Sequence, residues 1–354
     1  MKKIIILLFG LLIKTAFARA ETNPNQLFTT SKCFDLIASL QYFDHLKEDS
    51  IFHNLTNDSV FIQNLNDINR KVTASKLCNF YATFNGNRND ADSCIIFFNS
   101  LKENIEATSS DADWIKDIVN LQPQLSICLS AIHKAGYATY WETKVKPELD
   151  KYIQSYPVRT SLLDTIHTAM TEFSGSDELS TTHSKTYVMR IDNAFNLSDE
   201  SFCCTPLLLD VEMEKQFRLD FIKVYIHENL HRLQISESLM QKLEELMEDD
   251  FYRENENIAR SHNEGKNEAF VVAAEVFISH NIGRRDNKSV YSEFKEYIDG
   301  SLVLAPIIYS HLNEKRKAES LNDFILRLFD KGTIKVGSIK REYEKSMKLI
   351  EIGI

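Results

Sequence analysis

Apolar residues recur at three- and four-residue intervals from about residue 31 to residue 156, and this period predicts a series of amphipathic helices. Pro123 is expected to end or bend one of them. The clearest stripes are Cys33-Ile37-Leu40-Phe43 and Trp114-Ile118-Leu121-Leu125, and further helices are predicted at 129–141 and 147–156. The first half of the chain is therefore predicted to be helical.

The pattern changes after Pro157. A helix is predicted over 160–173, and two later stretches, 186–191 and 203–209, have the composition of strands. Because Pro206 lies inside the second stretch, that stretch is expected to be an edge strand or a loop. A strand edge of this kind beside a catalytic helix would allow an extended peptide to bind.

The rest of the chain is again predicted to be helical, with turns at Gly332 and Gly337. These helices are expected at about 212–234, 237–251, 268–275, 289–311 and 321–350. The expected fold is therefore mainly α, of the α+β class, with a small sheet. A helical N-terminal domain at 21–156 would precede a second domain at 157–354.

Residues 1–20 form a separate unit, in which Lys2 and Lys3 precede an apolar run and small residues end the segment. This pattern predicts a signal peptide that is cleaved after Ala20, and hence a secreted or periplasmic protein. The apolar run, 4–13, is shorter than the roughly 20 residues that a membrane-spanning helix needs. No later stretch is long enough, so no integral membrane segment is expected after signal removal.

Charge narrows the choice of partners. Removal of the signal would take four of the 41 basic residues and none of the 51 acidic ones, which leaves a net charge of −14. A chain this acidic is not expected to bind nucleic acid or an anionic membrane surface.

The chain has six cysteines, and an even number in an exported protein is compatible with disulfides. Cys78 with Cys94 is one suggested pair, although the connectivity does not follow from the sequence. No C-x-x-C spacing indicates a cysteine zinc site.

The most informative motif is His227-Glu228-Asn229-Leu230-His231, an H-E-x-x-H sequence inside a predicted helix. Histidines four residues apart share one helix face, with Cβ atoms roughly 5–6 Å apart, so both imidazoles can reach one zinc ion. Glu228 is placed to take a proton from a water that the metal activates, rather than to bind the metal. A chance match on a surface helix stays open, because the pattern is short.

A catalytic zinc needs a third protein ligand, and Glu264, Glu268 and Glu275 all follow the motif. Glu268 and Glu275 are almost two helical turns apart and share one face. Their neighbours are mostly alanine, valine and phenylalanine. Two carboxylates buried there would be costly unless a metal or another group compensated them.

The H-E-x-x-H helix, followed by Asn267-Glu268-Ala269-Phe270 and by Glu275, resembles the gluzincin metallopeptidases over about residues 211–280. In that family a downstream helix with an N-E-x-x motif donates the third zinc ligand, and in aminopeptidase-like members another glutamate follows seven residues later. Arg232 and Ala269 depart from the family pattern, which leaves the subfamily open.

The resemblance implies a zincin-like catalytic domain in which His227, His231 and Glu268 bind Zn²⁺ and Glu228 is the general base. Glu275 would lie behind the ligands and orient a ligand histidine through its free ring nitrogen. Glu264 is a weaker candidate for the third ligand. The implied reaction is hydrolysis of a peptide or protein substrate by a zinc-activated water.

Such a reaction needs a donor for the developing oxyanion, usually a tyrosine or a histidine. Tyr309 and His311 are the preferred candidates, although a structural role for each is the simpler interpretation. The other candidates are Tyr291 and Tyr297 downstream, and Tyr225 and His262 near the motifs.

Two other interpretations remain open. One is a catalytically inactive binding or adhesion protein that keeps a zincin scaffold, and it predicts metal-free protein. The other is a helical structural protein with a chance motif, in which zinc has no effect on stability.

Overall fold

The computed structural model describes residues 27–84, 89–101, 113–156, 160–175, 185–197, 201–210, 212, 220–262 and 264–353. Within them the protein is mainly helical with one four-stranded sheet, as the hydrophobic pattern predicts. The signal peptide and its cleavage point lie outside the described residues and stay predictions.

The described part of the first half is mainly helical. Short polar side chains start several of them, as Ser31 does by accepting a hydrogen bond from the backbone N–H of Phe34. The α-helices are α1 Lys32–Ala38, α2 Asp44–Lys47, α3 His53–Thr56, α4 Ser59–Asn69, α5 Ala74–Phe84, α6 Ala91–Asn99, α7 Asp113–Asn120, α8 Gln122–Lys134, α9 Tyr137–Tyr140 and α10 Lys146–Ser155. A 3-10 turn lies at Ser50–Phe52 and a π-helical turn at Trp141–Val145.

Pro123 has the predicted effect, because α7 ends at Asn120 and the proline lies in the first turn of α8. The helix that was expected at 129–141 is displaced. Its first part belongs to α8, which ends at Lys134 before the left-handed Gly136.

The second half contains a further set of helices. They are α11 Thr160–Ser174, α12 Phe221–Leu230, α13 Glu237–Leu246, α14 Asp250–Ser261, α15 Glu268–Asn281, α16 Asn287–Glu296, α17 Leu304–His311, α18 Leu321–Asp330 and α19 Ile339–Glu351. Short 3-10 turns lie at Pro206–Leu209, Tyr297–Gly300 and Leu312–Glu314. The single helix expected at 237–251 is two helices, because Asp249 caps the start of α14.

The sheet contains β1 Phe28–Thr29, β2 Thr186–Val188, β3 Ala194–Asn196 and β4 Phe202–Cys204, in the order β1-β2-β4-β3. β2 is parallel to β1 and β4, and β3 is antiparallel to β4. The expectation of an edge strand or loop at 203–209 is therefore wrong for its strand part. β4 lies inside the sheet, and Pro206 follows it in a 3-10 turn, where its missing N–H costs no sheet hydrogen bond.

Both halves of the chain contribute to one hydrophobic cluster. β1, from the first half, pairs with β2 from the second. Asp35 on α1 makes a second connection, since its carboxylate accepts hydrogen bonds from Trp141 Nε1 at 2.9 Å and from the backbone N–H of Arg190 at 2.8 Å. The β1–β2 pairing and the Asp35–Arg190 hydrogen bond both cross the predicted domain boundary at 156/157, which stays a prediction.

The six cysteines are all buried and free. The suggested Cys78–Cys94 disulfide is therefore wrong. The Cys78 thiol instead lies 3.8 Å from the backbone oxygen of Phe34, and the Cys33 thiol donates to the backbone oxygen of Asp90 at 3.1 Å.

Among the described residues, no helix combines the length and the apolar composition that crossing a membrane requires.

Candidate metal centre

The H-E-x-x-H motif lies on α12, which is shorter than predicted. Asp220 starts the helix by accepting a hydrogen bond from the backbone N–H of Ile222, so the helix begins at Phe221 rather than near residue 212. It ends at Leu230, where successive backbone bonds become the tighter i to i−3 type, among them His231 N to Glu228 O at 3.2 Å. His227 is thus on the last turn, and His231 is the residue that caps it.

The Nε2 atoms of His227 and His231 face each other. Their Nε2 atoms are 3.1 Å apart, and their rings meet edge to face with centroids 4.8 Å apart. Helical periodicity brings the two side chains to one face, as the sequence predicts.

Glu268 completes the group, as the first residue of α15. Its Oε1 lies 3.4 Å from His227 Nε2, and its Oε2 lies 3.4 Å from His231 Nε2. The three side chains each offer a donor atom within 4.8 Å of the others. Two ligands at about 2.0–2.1 Å from a tetrahedral ion would be about 3.3 Å apart, so these separations fit a single metal ion.

The Glu268 carboxylate is buried, with 1% of its surface exposed. Oε1 accepts a hydrogen bond from the Tyr297 hydroxyl at 3.0 Å, whereas Oε2 has no hydrogen-bond partner among the described residues. Burial, and then the charge of Glu264, raise the pKa of Glu268 to about 7. A cation bound between the three side chains would satisfy Oε2 and offset this cost.

The protonation states also suit a metal. Burial lowers the pKa of His227 to about 3, and burial lowers the pKa of His231 as well. Both imidazoles are therefore neutral at physiological pH, which is the form that binds metals.

Asn267 stands behind His231, with its Nδ2 atom 3.5 Å from His231 Nδ1. Asn267 therefore contacts the ring nitrogen of His231 that is turned away from the donor group, and it helps to hold the ring in place.

Glu228 lies outside the donor group but close to it. Burial raises the pKa of Glu228 to about 8, and the negative charges of Glu268 and Glu264 add to that effect. Its backbone oxygen accepts a hydrogen bond from the side chain of Asn196, which connects α12 to β3. A positive ion at the donor group would favour the ionised form that a general base needs.

Glu275 is not placed as expected. It shares the helix with Glu268 and is also 1% exposed, but its hydrogen-bond partners are Arg285 and Ser279 rather than a histidine ring nitrogen. Arg285 also contacts Glu293 at 3.0 Å, and Glu293 binds Lys223 at 2.7 Å. Glu275 therefore reaches α12 indirectly, through an ion-pair chain that ends one turn before His227.

The preferred oxyanion candidates are engaged in other contacts. The Tyr309 hydroxyl lies 2.8 Å from His280 Nδ1, and His311 Nδ1 lies 2.7 Å from Glu314 Oε1. His311 does not belong to the His227–His231–Glu268 group. Of the remaining candidates, Tyr297 contacts the group, through its bond to Glu268 and through its ring, which lies 6.4 Å from the His227 ring.

A strained turn presents Tyr297. Ile298 and Asp299 have positive φ angles of 49° and 55°, and Gly300 follows at 70°. A β-branched residue in this region is uncommon and costs energy, and such strain is concentrated at functional sites. The Asp299-Gly300 pair is a turn signal that could have placed Tyr297 at a helix end from the sequence.

No protein-family model, no curated protein and no solved structure matches this chain.

Proposed function

We propose that the protein is a zinc-dependent peptidase in which His227, His231 and Glu268 hold the metal and Glu228 is the general base. The observation that carries the proposal is the convergence of two imidazoles and one buried carboxylate: the two Nε2 atoms are 3.1 Å apart, and each lies 3.4 Å from a different oxygen of Glu268. Two histidines and one glutamate are a donor set of catalytic zinc sites, which leave a fourth position open. Calcium and magnesium prefer oxygen ligands alone.

Zinc bound by His227, His231 and Glu268 would supply a water that ionises near neutral pH and a Lewis acid for the scissile carbonyl. Glu228 would take the proton of the attacking water on its carboxylate and return it to the leaving amine. Tyr297 replaces Tyr309 and His311 as the proposed hydrogen-bond donor to the oxyanion, because its hydroxyl lies at the donor group, where it would transfer its hydrogen bond from Glu268 to the oxyanion.

The sheet supports an extended peptide substrate. β3 forms one end of the sheet, packs against α12 and is connected to Glu228 by Asn196. A peptide can bind by adding to such a strand. We propose β3 for this role in place of the 203–209 stretch.

The proposal is tested by elemental analysis of protein purified without chelator, together with peptide hydrolysis. About one zinc per chain is expected. Glu228→Gln should retain the zinc and lose hydrolysis, whereas Glu268→Gln should lose both. Glu237→Gln, on the outside of α13, is the matched control and should change neither.

Hydrolysis by the Glu228→Gln variant would refute the proposed mechanism. Metal-free wild-type protein that cleaves no peptide would favour the inactive zincin-scaffold binding protein. The proposed export of the protein is a separate matter, tested by N-terminal sequencing of the mature chain.

A further inference from the structure

A cavity of about 350 Å³ lies between strand β1, the start of α1, the π-helical turn and α10. Its volume is within the range of about 300–1,000 Å³ that small-molecule sites have. The proposed metal ligands His227, His231 and Glu268 are not among the residues that line it. The cavity is therefore separate from the proposed metal centre.

Two ion pairs form much of the cavity wall. Lys32 Nζ lies 2.5 Å from Glu142 Oε1, and Lys146 Nζ lies 2.5 Å from Asp150 Oδ2. All four residues line the cavity. Their formal charges cancel, and any charged ligand would meet two like charges as well as two opposite ones. The wall as a whole therefore favours a ligand without net charge.

The apolar part of the lining is small. Phe28, Trp141 and Ile153 reach the cavity, but Phe28 is only 2% exposed and the other two are each 3% exposed. Since the gain from apolar contact scales with the apolar surface that is covered, a purely apolar ligand would gain little here. The expected ligand is therefore one that makes many hydrogen bonds.

The π-helical turn carries two of the lining residues, Trp141 and Glu142. Pro147 accounts for the turn, because it has no N–H to donate to the backbone oxygen of Thr143. The N–H of Lys146 instead bonds to the backbone oxygen of Trp141, five residues earlier. Single π-helical turns inside helices are frequent at functional sites. The irregular turn is thus a second indication that this wall has a function.

Hydrogen bonds and packing hold the polar groups of the wall in place. Trp141 Nε1 donates to the buried carboxylate of Asp35 at 2.9 Å, and Lys32 Nζ lies 5.4 Å from the centroid of the Trp141 ring. The Lys32 side chain is only 15% exposed as a result of this packing and of its ion pair. Groups that are fixed before a ligand arrives lower the entropic cost of binding.

Each ion pair places the N–H donors of an ammonium group beside the acceptor oxygens of a carboxylate. Two neighbouring hydroxyl groups of a sugar ring match this arrangement, since one can accept from the ammonium group while the other donates to the carboxylate. A neutral sugar makes these bonds without separating the two charges. An amino acid or a phosphate would have to displace one of the existing ion-pair partners.

We infer that this cavity binds a neutral monosaccharide, or one sugar unit of a glycan, through the Lys32–Glu142 and Lys146–Asp150 pairs. The inference does not rest on the proposed peptidase function, because none of the proposed catalytic residues takes part in binding. It assigns a second, non-catalytic site to the protein.

The binding test is a saturation-transfer NMR titration of the full-length protein. The probes are D-glucose, D-galactose, D-mannose and N-acetyl-D-glucosamine, and D-sorbitol is the open-chain control. At least one sugar should bind saturably and at least about tenfold more tightly than D-sorbitol, which loses more conformational freedom on binding. L-alanine and inorganic phosphate are the charged probes. Equal binding of sorbitol and the sugars, or tighter binding of either charged probe, would overturn the assignment.

Two variants test the ion pairs separately. Lys32→Met keeps the aliphatic stem and removes the ammonium group, so the affinity for the sugar should fall by about tenfold or more. Asp150→Ala removes a carboxylate from a partly exposed helix position and should have a similar effect. Lys47→Met, which breaks the exposed pair with Asp44 on α2, is the matched control and should bind like the wild type.

Thermal unfolding shows which of these variants fold. If one fails to fold, the other decides, and wild-type affinity in a folded variant of either pair would refute the role of that pair in binding. Sugar binding should also survive Glu268→Gln and treatment with a chelator, both of which remove the proposed metal centre. Loss of sugar binding together with the metal would place the sugar at the metal centre and refute the second site.

Discussion

Arg285 and Glu275 form a buried salt bridge, in which Nη2 of the arginine lies 2.8 Å from Oε2 of the glutamate. Arg285 also pairs with Glu293, and Glu293 pairs with Lys223. Lys223 lies one turn before His227 on α12, and Glu275 lies two turns after Glu268 on α15. Two cations and two carboxylates thus join the two helices that carry the proposed metal ligands.

Arg285→Met should affect both stability and metal binding. The variant leaves the Glu275 carboxylate buried without its partner, so the free energy of unfolding of the metal-free protein should fall by about 3–5 kcal/mol. Zinc affinity should fall by about 10- to 100-fold, because the two helices are no longer held in register. Urea unfolding and zinc titration against a competing chelator measure the two effects.

The control for this prediction is Arg70→Met, which breaks the exposed pair with Asp67 on α4. That change should cost about 1 kcal/mol or less and leave zinc affinity unchanged. If Arg285→Met bound zinc as tightly as the wild type, the ion-pair chain would have no positioning role.

Tyr297→Phe should lower kcat by about 10²- to 10³-fold with little change in KM, because it removes one hydrogen-bond donor to the oxyanion and keeps the ring. Tyr309→Phe is the matched control and should leave kcat near the wild-type value. Steady-state kinetics on one peptide compare them. A larger loss of kcat in Tyr309→Phe than in Tyr297→Phe would indicate that Tyr309, the candidate preferred from the sequence, is the hydrogen-bond donor to the oxyanion.

Gly300→Ala and Gly332→Ala separate backbone strain from steric contact. The two glycines have nearly equal φ angles, 70° and 72°. A Cβ at Gly300 would lie 2.9 Å from the backbone oxygen of Lys295, whereas a Cβ at Gly332 would meet nothing within 4 Å. Gly332→Ala should therefore cost about 1–2 kcal/mol, and Gly300→Ala should cost more.

Only Gly300→Ala should also slow hydrolysis, because that turn carries Tyr297. Thermal unfolding and kcat are the measurements. Equal destabilisation by both variants would mean that the Lys295 carbonyl moves aside.

Asp35→Asn should change how stability depends on pH. Burial raises the pKa of Asp35 from 3.8 to about 6 in the folded protein. Between these values the folded state holds the proton more tightly than the unfolded chain does, so the wild type loses stability as pH rises from about 4 to about 6. This loss is at most about 3 kcal/mol, and the contribution is constant at higher pH.

The asparagine variant does not titrate and should have a flatter profile over that range, measured as urea midpoints at pH 4, 5, 6 and 7. It should be less stable than the wild type at pH 4, since an amide cannot accept hydrogen bonds on both side-chain atoms from Trp141 and Arg190, and this difference should shrink as the wild type loses stability towards pH 6. Parallel profiles for the two proteins would contradict the raised pKa. Glu319→Gln tests a pKa shift in the opposite direction. Arg327 lowers the pKa of Glu319 from 4.5 to about 2, so the wild type should lose stability as pH falls through this range, and the glutamine variant should not.

The sequence alone determined the local features. A four-residue spacing places His227 and His231 on one helix face, and a seven-residue spacing does the same for Glu268 and Glu275, because helical periodicity is set by backbone geometry. The apolar surroundings of Glu268 in the sequence were enough to expect a buried carboxylate that needs a partner. Pro123 separated two helices for an equally local reason.

Only the tertiary structure decided which distant residues meet these local features. Tyr297 lies 29 residues after Glu268 in sequence, and Asn196 lies 32 residues before Glu228. Such contacts depend on how helices pack and in which order strands pair, and neither is encoded in a short-range pattern. For the same reason β3 was not predicted as a strand. Glu275 is buried as expected, but it binds Arg285 instead of a histidine.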